Sequence, residues 1–191
     1  IPLAVQLLTN SRGSALVMTP TRELAMQVND QLRKLLGKRS PIKSALLIGG
    51  ESMPKQIQQL RARPRLIVGT PGRINDHLER GGLMLHDTGF LVLDETDRML
   101  DMGFTIQIEK IMKFLPKERQ TLLFTATLPK NMEKIAKQYL TDPVKISVGT
   151  TSTPAAQIKQ TVMHLSDNEK YAELQKQLNA RTGSIIIFIK S

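Results

Sequence analysis

Short runs rich in leucine or β-branched residues recur along this chain, separated by longer amphipathic stretches. SALVMT, SALLIG, RLIVGT, GFLVLD, QTLLFTA and VKISVG are strand-like, and most are apolar throughout instead of alternating. A strand apolar at every position is covered on both faces. Between them ELAMQVNDQLRKLLG, PKQIQQLRAR, GRINDHLERG, IQIEKIMKFL and KNMEKIAKQYL carry helical spacing. Strand–helix alternation of this kind predicts an α/β fold, a parallel sheet with helices packed on both faces. At 191 residues, 40% of them hydrophobic, the chain has material for a core of ordinary size.

The alternation pauses at VGTTSTPAAQ, residues 148–157, whose small and polar composition suits an interdomain linker. It resumes with IKQTVMHL and SIIIFIKS as strands around the helical NEKYAELQKQLNA. The expected organisation is therefore a first domain over 1–148, a linker over 149–157 and the start of a second domain over 158–191. Three elements cannot enclose a core, so the second domain is expected to be incomplete.

Lys and Arg number 27 against 17 Asp and Glu, a net charge of +10, which favours a polyanionic partner, nucleic acid ahead of a membrane surface. Cysteine is absent, excluding disulfides and thiolate metal sites. No apolar run approaches the roughly 20 residues of a membrane-spanning helix, and IPLAVQLL lacks the flanks of a signal peptide. His77, His86 and His164 are scattered without metal-ligand spacing and read as surface or packing residues. Nine methionines, among them Met99, Met102 and Met112, read as core. Aromatic residues are 4% of the chain, too few for base stacking to dominate a nucleic-acid contact.

One phrase occurs twice. ALVMTPTR and LIVGTPGR each end a strand with Thr-Pro and a following arginine. Thr21 and Thr70 can cap helices, and Pro71 suits a first helical turn. The free N–H groups of those turns, beside Arg22 and Arg73, would hold phosphates; ordinary helix capping is the plain alternative. Gly49 and Gly50 also follow a strand, either as a turn or as a close approach of ligand to backbone. In FLVLDETDRML, Asp94 falls at the carboxyl end of a buried strand, where open α/β sheets bind ligands. An aspartate there can hold Mg²⁺, and Glu95 could deprotonate an attacking water; favourable charge at a helix start explains the same pair. Thr125 and Thr127 end the next strand with two hydroxyls that either answer the acids or cap the helix after Pro129.

PTRELAMQ, GG, TPGR, DETDRMLDMGF, TATLP and IIIFIKS, in that order, resemble the DEAD-box RNA helicases over nearly the whole chain. The resemblance implies two RecA-like domains, an incomplete first one and the start of a second, that close around RNA and ATP. The activity it implies is unwinding or remodelling of short RNA duplexes or ribonucleoproteins with ATP and Mg²⁺. By that resemblance Asp94 would engage Mg²⁺ through water and Glu95 would be the catalytic base. Asp97 would bond the hydroxyls of Thr125 and Thr127 and couple hydrolysis to strand separation. Pro20, Thr21, Arg22, Gly49, Gly50, Thr70, Gly72 and Arg73 would line the RNA backbone path, giving sequence-independent, salt-sensitive binding. With the absence of cysteine and targeting signals, the resemblance also implies a cytoplasmic protein.

Thr96 stands where the family has alanine, and Thr125 where it has serine. No G-x-x-x-x-G-K-[ST] occurs in the 191 residues, nor do the adenine-reading and arginine-finger motifs. IPLAVQLL resembles the tail of the helix after the phosphate loop, so the chain is expected to be an internal fragment that alone is poorly stable and does not hydrolyse ATP. In the family's sheet the phosphate-loop strand lies beside the strand carrying Thr125. Two rivals remain: a non-catalytic module binding RNA backbone through the same grips, and a DNA translocase of the wider helicase superfamily.

Overall fold

In the computed structural model, which describes residues 1–10, 12–37, 39–127, 130–148 and 161–189, the chain divides into two compact units, Ile1–Ser152 and Thr153–Ser191. The first unit runs α1 (Pro2–Thr9), β1 (Ser14–Met18), α2 (Arg22–Leu36), β2 (Ser44–Leu47), α3 (Met53–Arg61), β3 (Leu66–Gly69) and α4 (Pro71–Glu79). It continues with β4 (Thr88–Leu93), α5 (Thr96–Asp101), α6 (Thr105–Met112), β5 (Gln120–Leu123) and α7 (Lys130–Tyr139). The second unit holds α8 (Asp167–Asn179).

The sheet order is β2-β3-β1-β4-β5 and every pairing is parallel, as the apolar runs predict. Successive residues of a strand point to opposite faces, and β1 shows both covered. Leu16 and Met18 join Leu91, Leu93, Ile74, Met99, Ile108 and Ile111 in one core. Ala15 and Val17 join Leu3, Leu7, Ala25, Val68 and Phe90 in the other. The register matters more for function. Met18 pairs with both Gly69 and Leu93, Leu47 with Gly69, and Leu93 with Leu123. All five strands therefore end in one row, and the loops carrying the sequence motifs leave the sheet side by side.

Arg65, the residue before β3, ties this frame to the N-terminal helix. Its Nε donates to the Gly13 carbonyl at 2.8 Å, Nη1 to Leu7 at 3.0 Å, and Nη2 to Asn10 and Arg12 at 2.8 and 3.1 Å. The guanidinium fork thus caps the end of α1 and fixes the turn into β1. Arg65→Ala should cost about 2 kcal/mol, since charged donors to carbonyls count for more than neutral ones. Arg65→Lys should recover little of it, because an ammonium cannot reproduce the fork; a denaturant melt of both variants measures the difference.

Three predicted strands do not form. Residues 144–148, 161–165 and 184–189, from the runs VKISVG, IKQTVMHL and SIIIFIKS, carry no ladder, and the remaining residues of those runs lie outside the described ones. A strand needs a neighbour as well as β-prone residues, and among the described residues none pairs with these segments; Ile187 and Phe188, for instance, are 50% and 91% exposed. β5 is the outermost strand of the described sheet, with a groove of 590 Å³ beside it lined by Thr121, Leu123, Val144 and Ile146. At the opposite edge Gln59 Oε1 accepts the Leu46 N–H at 3.0 Å, a side chain capping the exposed ladder of β2.

In the second unit α8 begins with a capping box, the Ser166 N–H donating to Glu169 Oε2 at 2.9 Å. No residue of α8 is buried. The expected linker, 149–157, lies outside the described residues. Among the described residues no helix is long and apolar enough to cross a membrane.

Candidate functional site

Two features occupy the row of strand ends. The first is a groove of 460 Å³. Pro20, Thr21 and Arg22 after β1, Gly49 after β2, and Thr70, Gly72 and Arg73 after β3 all line it, so the two Thr-Pro phrases meet in one place. Thr21 caps α2, its hydroxyl accepting the Leu24 N–H at 3.3 Å. Thr70 sits at the N-cap of α4 without a side-chain cap bond, and Pro71 takes the first turn. Its side chain is not committed to capping there, contrary to the plain reading of the phrase.

Arg22 lies against the glycine pair. A Cβ on Gly49 would lie 3.1 Å from Arg22 Nη2, and one on Gly50 only 2.5 Å from Nη1. Gly50 also has φ +78°, left-handed backbone that glycine adopts without penalty. The guanidinium therefore rests against bare backbone at the groove's rim. Arg73 reaches the same loop from the other side, Nη1 donating to the Glu51 carbonyl at 3.2 Å while Nε pairs with Asp76 at 3.4 Å.

Glu23, Asp76, Met102 and Phe104 line the groove as well, although sequence reasoning assigned none of them a site role. Met99 is core at 0% exposure, but Met102 is 50% exposed, correcting its expected burial. It caps the C-terminus of α5 just before the left-handed turn at Gly103 (φ +80°), off the packed face. The spacing of DMGF carries that turn signal in its glycine.

The second feature is the acidic cluster. The Asp94 N–H donates to the Met18 carbonyl at 3.0 Å, extending the ladder, and its Oδ1 accepts the Glu95 N–H at 3.1 Å. Burial pushes the Asp94 carboxyl above the usual aspartate value, the Glu95 charge adds to this, and the Glu95 N–H opposes it. Glu95 adopts φ 47°, ψ 53°, left-handed backbone unusual for a side-chain-bearing residue. Such strain costs on the order of 1 kcal/mol and collects at functional sites. It turns the chain sharply from β4 into α5, where the Glu95 carboxylate pairs with Arg98 at 3.1 Å. Thr96, fully buried, donates its hydroxyl to the Leu93 carbonyl at 3.2 Å, which satisfies the group that replaces alanine's methyl.

Asp97 Oδ2 accepts from both the hydroxyl and the N–H of Thr127, at 2.9 and 3.0 Å. Partial burial pushes this carboxyl up, but the Thr127 bonds, the Arg98 N–H and the Thr125 hydroxyl outweigh it and hold Asp97 below the usual value. The Thr125 hydroxyl donates to the Thr127 carbonyl at 2.6 Å, bracing the loop that presents Thr127, and it also helps to lower the Asp97 pKa. Pro129 lies outside the described residues, and the helix expected after it is α7. His77 is buried, while His86 and His164 are exposed. Among the described residues no three or more metal-ligating side chains cluster.

A sequence model described as DEAD/DEAH box helicase matches residues 1–135. The chain is 40% identical over 182 residues to the ATP-dependent RNA helicase DbpA of Bacillus subtilis, covering 95% of this chain and 38% of that protein. It is 41% identical over 191 residues to the ATP-dependent RNA helicase DDX47 of Drosophila melanogaster, covering 98% of this chain and 38% of that one. The crystal structure of a DEAD box protein from Methanococcus jannaschii superposes with a TM-score of 0.66 at 38% identity, over 88% of this chain and 45% of that chain. The chain thus spans less than half the length of these relatives.

Proposed function

The chain belongs to the DEAD/DEAH box helicase family, and from that premise we propose that the full-length protein is an RNA-dependent ATPase that remodels short RNA duplexes. The observation that carries the reading is the groove in which Arg22, Arg73 and the Gly49 backbone converge from three strand ends. It lies on the same sheet edge as Asp94 and Glu95. Two helix N-termini with adjacent arginines suit consecutive phosphates of one strand. The acids suit a nucleotide and its cation.

The partly buried Asp94 carboxyl, shifted toward its neutral form and accepting one hydrogen bond from its neighbour at Oδ1, would be relieved by a divalent cation. A single carboxylate suits Mg²⁺, which keeps most of its water. Asp94 would hold Mg²⁺ through water, and the ion would supply charge neutralisation on the ATP phosphates. Glu95, raised at the turn between β4 and α5, would take the proton of the attacking water. Asp97 would carry the change to the β5 loop, because Thr127 N–H and hydroxyl both follow its carboxylate. The domain boundary near residue 148 and a RecA-like identity for the second unit belong to the same proposal.

Salt tests the groove. Affinity of the full-length protein for single-stranded RNA should fall linearly with log salt, and Arg22→Ala or Arg73→Ala should each flatten that slope by about one unit. Both losses should be similar on RNAs of unrelated sequence. Unchanged slopes would remove these arginines from the phosphate path.

A further inference from the structure

Behind the groove, out of reach of any ligand, lies a hydrogen-bonded pair that no motif announces. Gln56 of α3 is 1% exposed and His77 of α4 is 0% exposed. Gln56 Nε2 donates to the Ile48 carbonyl at 2.8 Å, and His77 Nε2 lies 2.9 Å from Gln56 Oε1. The amide nitrogen faces the carbonyl, so the amide oxygen must accept, and His77 carries its proton on Nε2. Nδ1 is then a bare lone pair, without a hydrogen-bond partner among the described residues. Burial lowers the His77 pKa below the ordinary value, Arg73 and Arg80 lower it further, and Asp76 opposes them, in keeping with a neutral ring.

Both ends of this relay abut the groove. Ile48 precedes Gly49 and Gly50 directly. His77 stands one helical turn after Arg73, on the same helix face. The Arg73 bond to the Glu51 carbonyl is a second tie between the same loop and the same helix. Apolar side chains of similar volume could fill such a site with little loss of stability. What they would lack is direction: two bonds near 2.9 Å fix the loop against the helix, and apolar packing does not. A phosphate bridging the Gly49–Gly50 backbone and Arg73 needs that spacing held to a fraction of an ångström.

We propose that the Gln56–His77 pair is a positioning unit that sets the distance between the glycine loop and the Arg73 helix, and through it the affinity of the groove for an RNA backbone. The inference rests on the RNA reading above and deepens it. Neither residue touches the ligand.

The test is a double-mutant cycle on the full-length protein, read as the dissociation constant for a fluorescent oligouridylate of about ten nucleotides. His77→Leu and Gln56→Leu should each weaken binding about tenfold, and the double variant no more than either single one, because they break one unit. His77→Gln places an amide nitrogen where the imidazole Nε2 was and should bind like wild type. Melting temperatures report folding separately. A wild type that binds and a folded His77→Leu that binds equally well overturns the inference and leaves the RNA reading intact. If His77→Leu does not fold, His77→Asn decides, since its shorter amide cannot reach Gln56. Asn binding as well as Gln overturns the proposal, and Asn alone weakened supports it. A wild type that ignores the oligouridylate overturns the RNA reading and this inference together.

Discussion

Glu95→Gln in the full-length protein should lower the proposed RNA-stimulated ATP hydrolysis by roughly two to four orders of magnitude, the usual contribution of a positioned general base, while leaving ATP binding intact. Glutamine keeps the length and shape of the side chain and removes the proton acceptor. The left-handed backbone at this position (φ 47°) strains Gln no more than Glu, so the turn into α5 survives. The exposed ion pair with Arg98 is lost, at a cost of about 0.5 kcal/mol or less, too little to unfold the protein. Steady-state hydrolysis and equilibrium ATP binding, measured on the same preparation, separate the two effects. A non-catalytic RNA-binding module predicts that the substitution changes nothing.

The second large effect is structural. Gly69 ends β3 between two strands, paired with Leu47 on one side and Met18 on the other. A Cβ there would lie 2.3 Å from the Leu47 carbonyl oxygen and 3.0 Å from Leu47 Cβ. That oxygen accepts the Thr70 N–H at 3.0 Å, so it cannot swing away without breaking the bond that launches the Thr-Pro phrase. β3 cannot slide either, because its other edge is held in register by β1. Gly69→Ala should therefore cost about 3 kcal/mol or more, at the upper end for overpacking, and a chain of ordinary stability would lose most of its margin. Gly72→Ala is the control. A Cβ there meets nothing within 4 Å, and alanine is the better helix former. A denaturation curve of the two variants should show a large loss for the first and none for the second.

These glycines also show where sequence reasoning reaches and where it stops. The five strands of the sheet were legible because each is a short, uniformly apolar run, and burial on both faces is written in composition. The three runs that formed no strand look no different locally. Ladder formation depends on a partner elsewhere, which periodicity does not record. Asp94 and the two Thr-Pro phrases were placed at strand ends by counting, and the parallel register gathers them in one row. The left-handed turn at Glu95 was invisible, because no glycine or asparagine marks it. The buried link from Ile48 through Gln56 to His77 was equally hidden: a glutamine nine residues after a strand and a lone histidine carry no signal until α3 and α4 pack. The bond from the Thr125 hydroxyl to the Thr127 carbonyl was not foreseen either, because it depends on loop geometry that residue type does not fix.

The central claim is that one sheet edge serves an RNA backbone and a nucleotide together, joined through Asp97 and Thr127. Its most direct test is the steady-state ATPase rate of the full-length protein alone, with single-stranded RNA, and with DNA of the same sequence. The account predicts that RNA accelerates hydrolysis and that DNA does not. A rate indifferent to RNA would contradict it, and equal stimulation by DNA would point instead to a translocase of the wider superfamily.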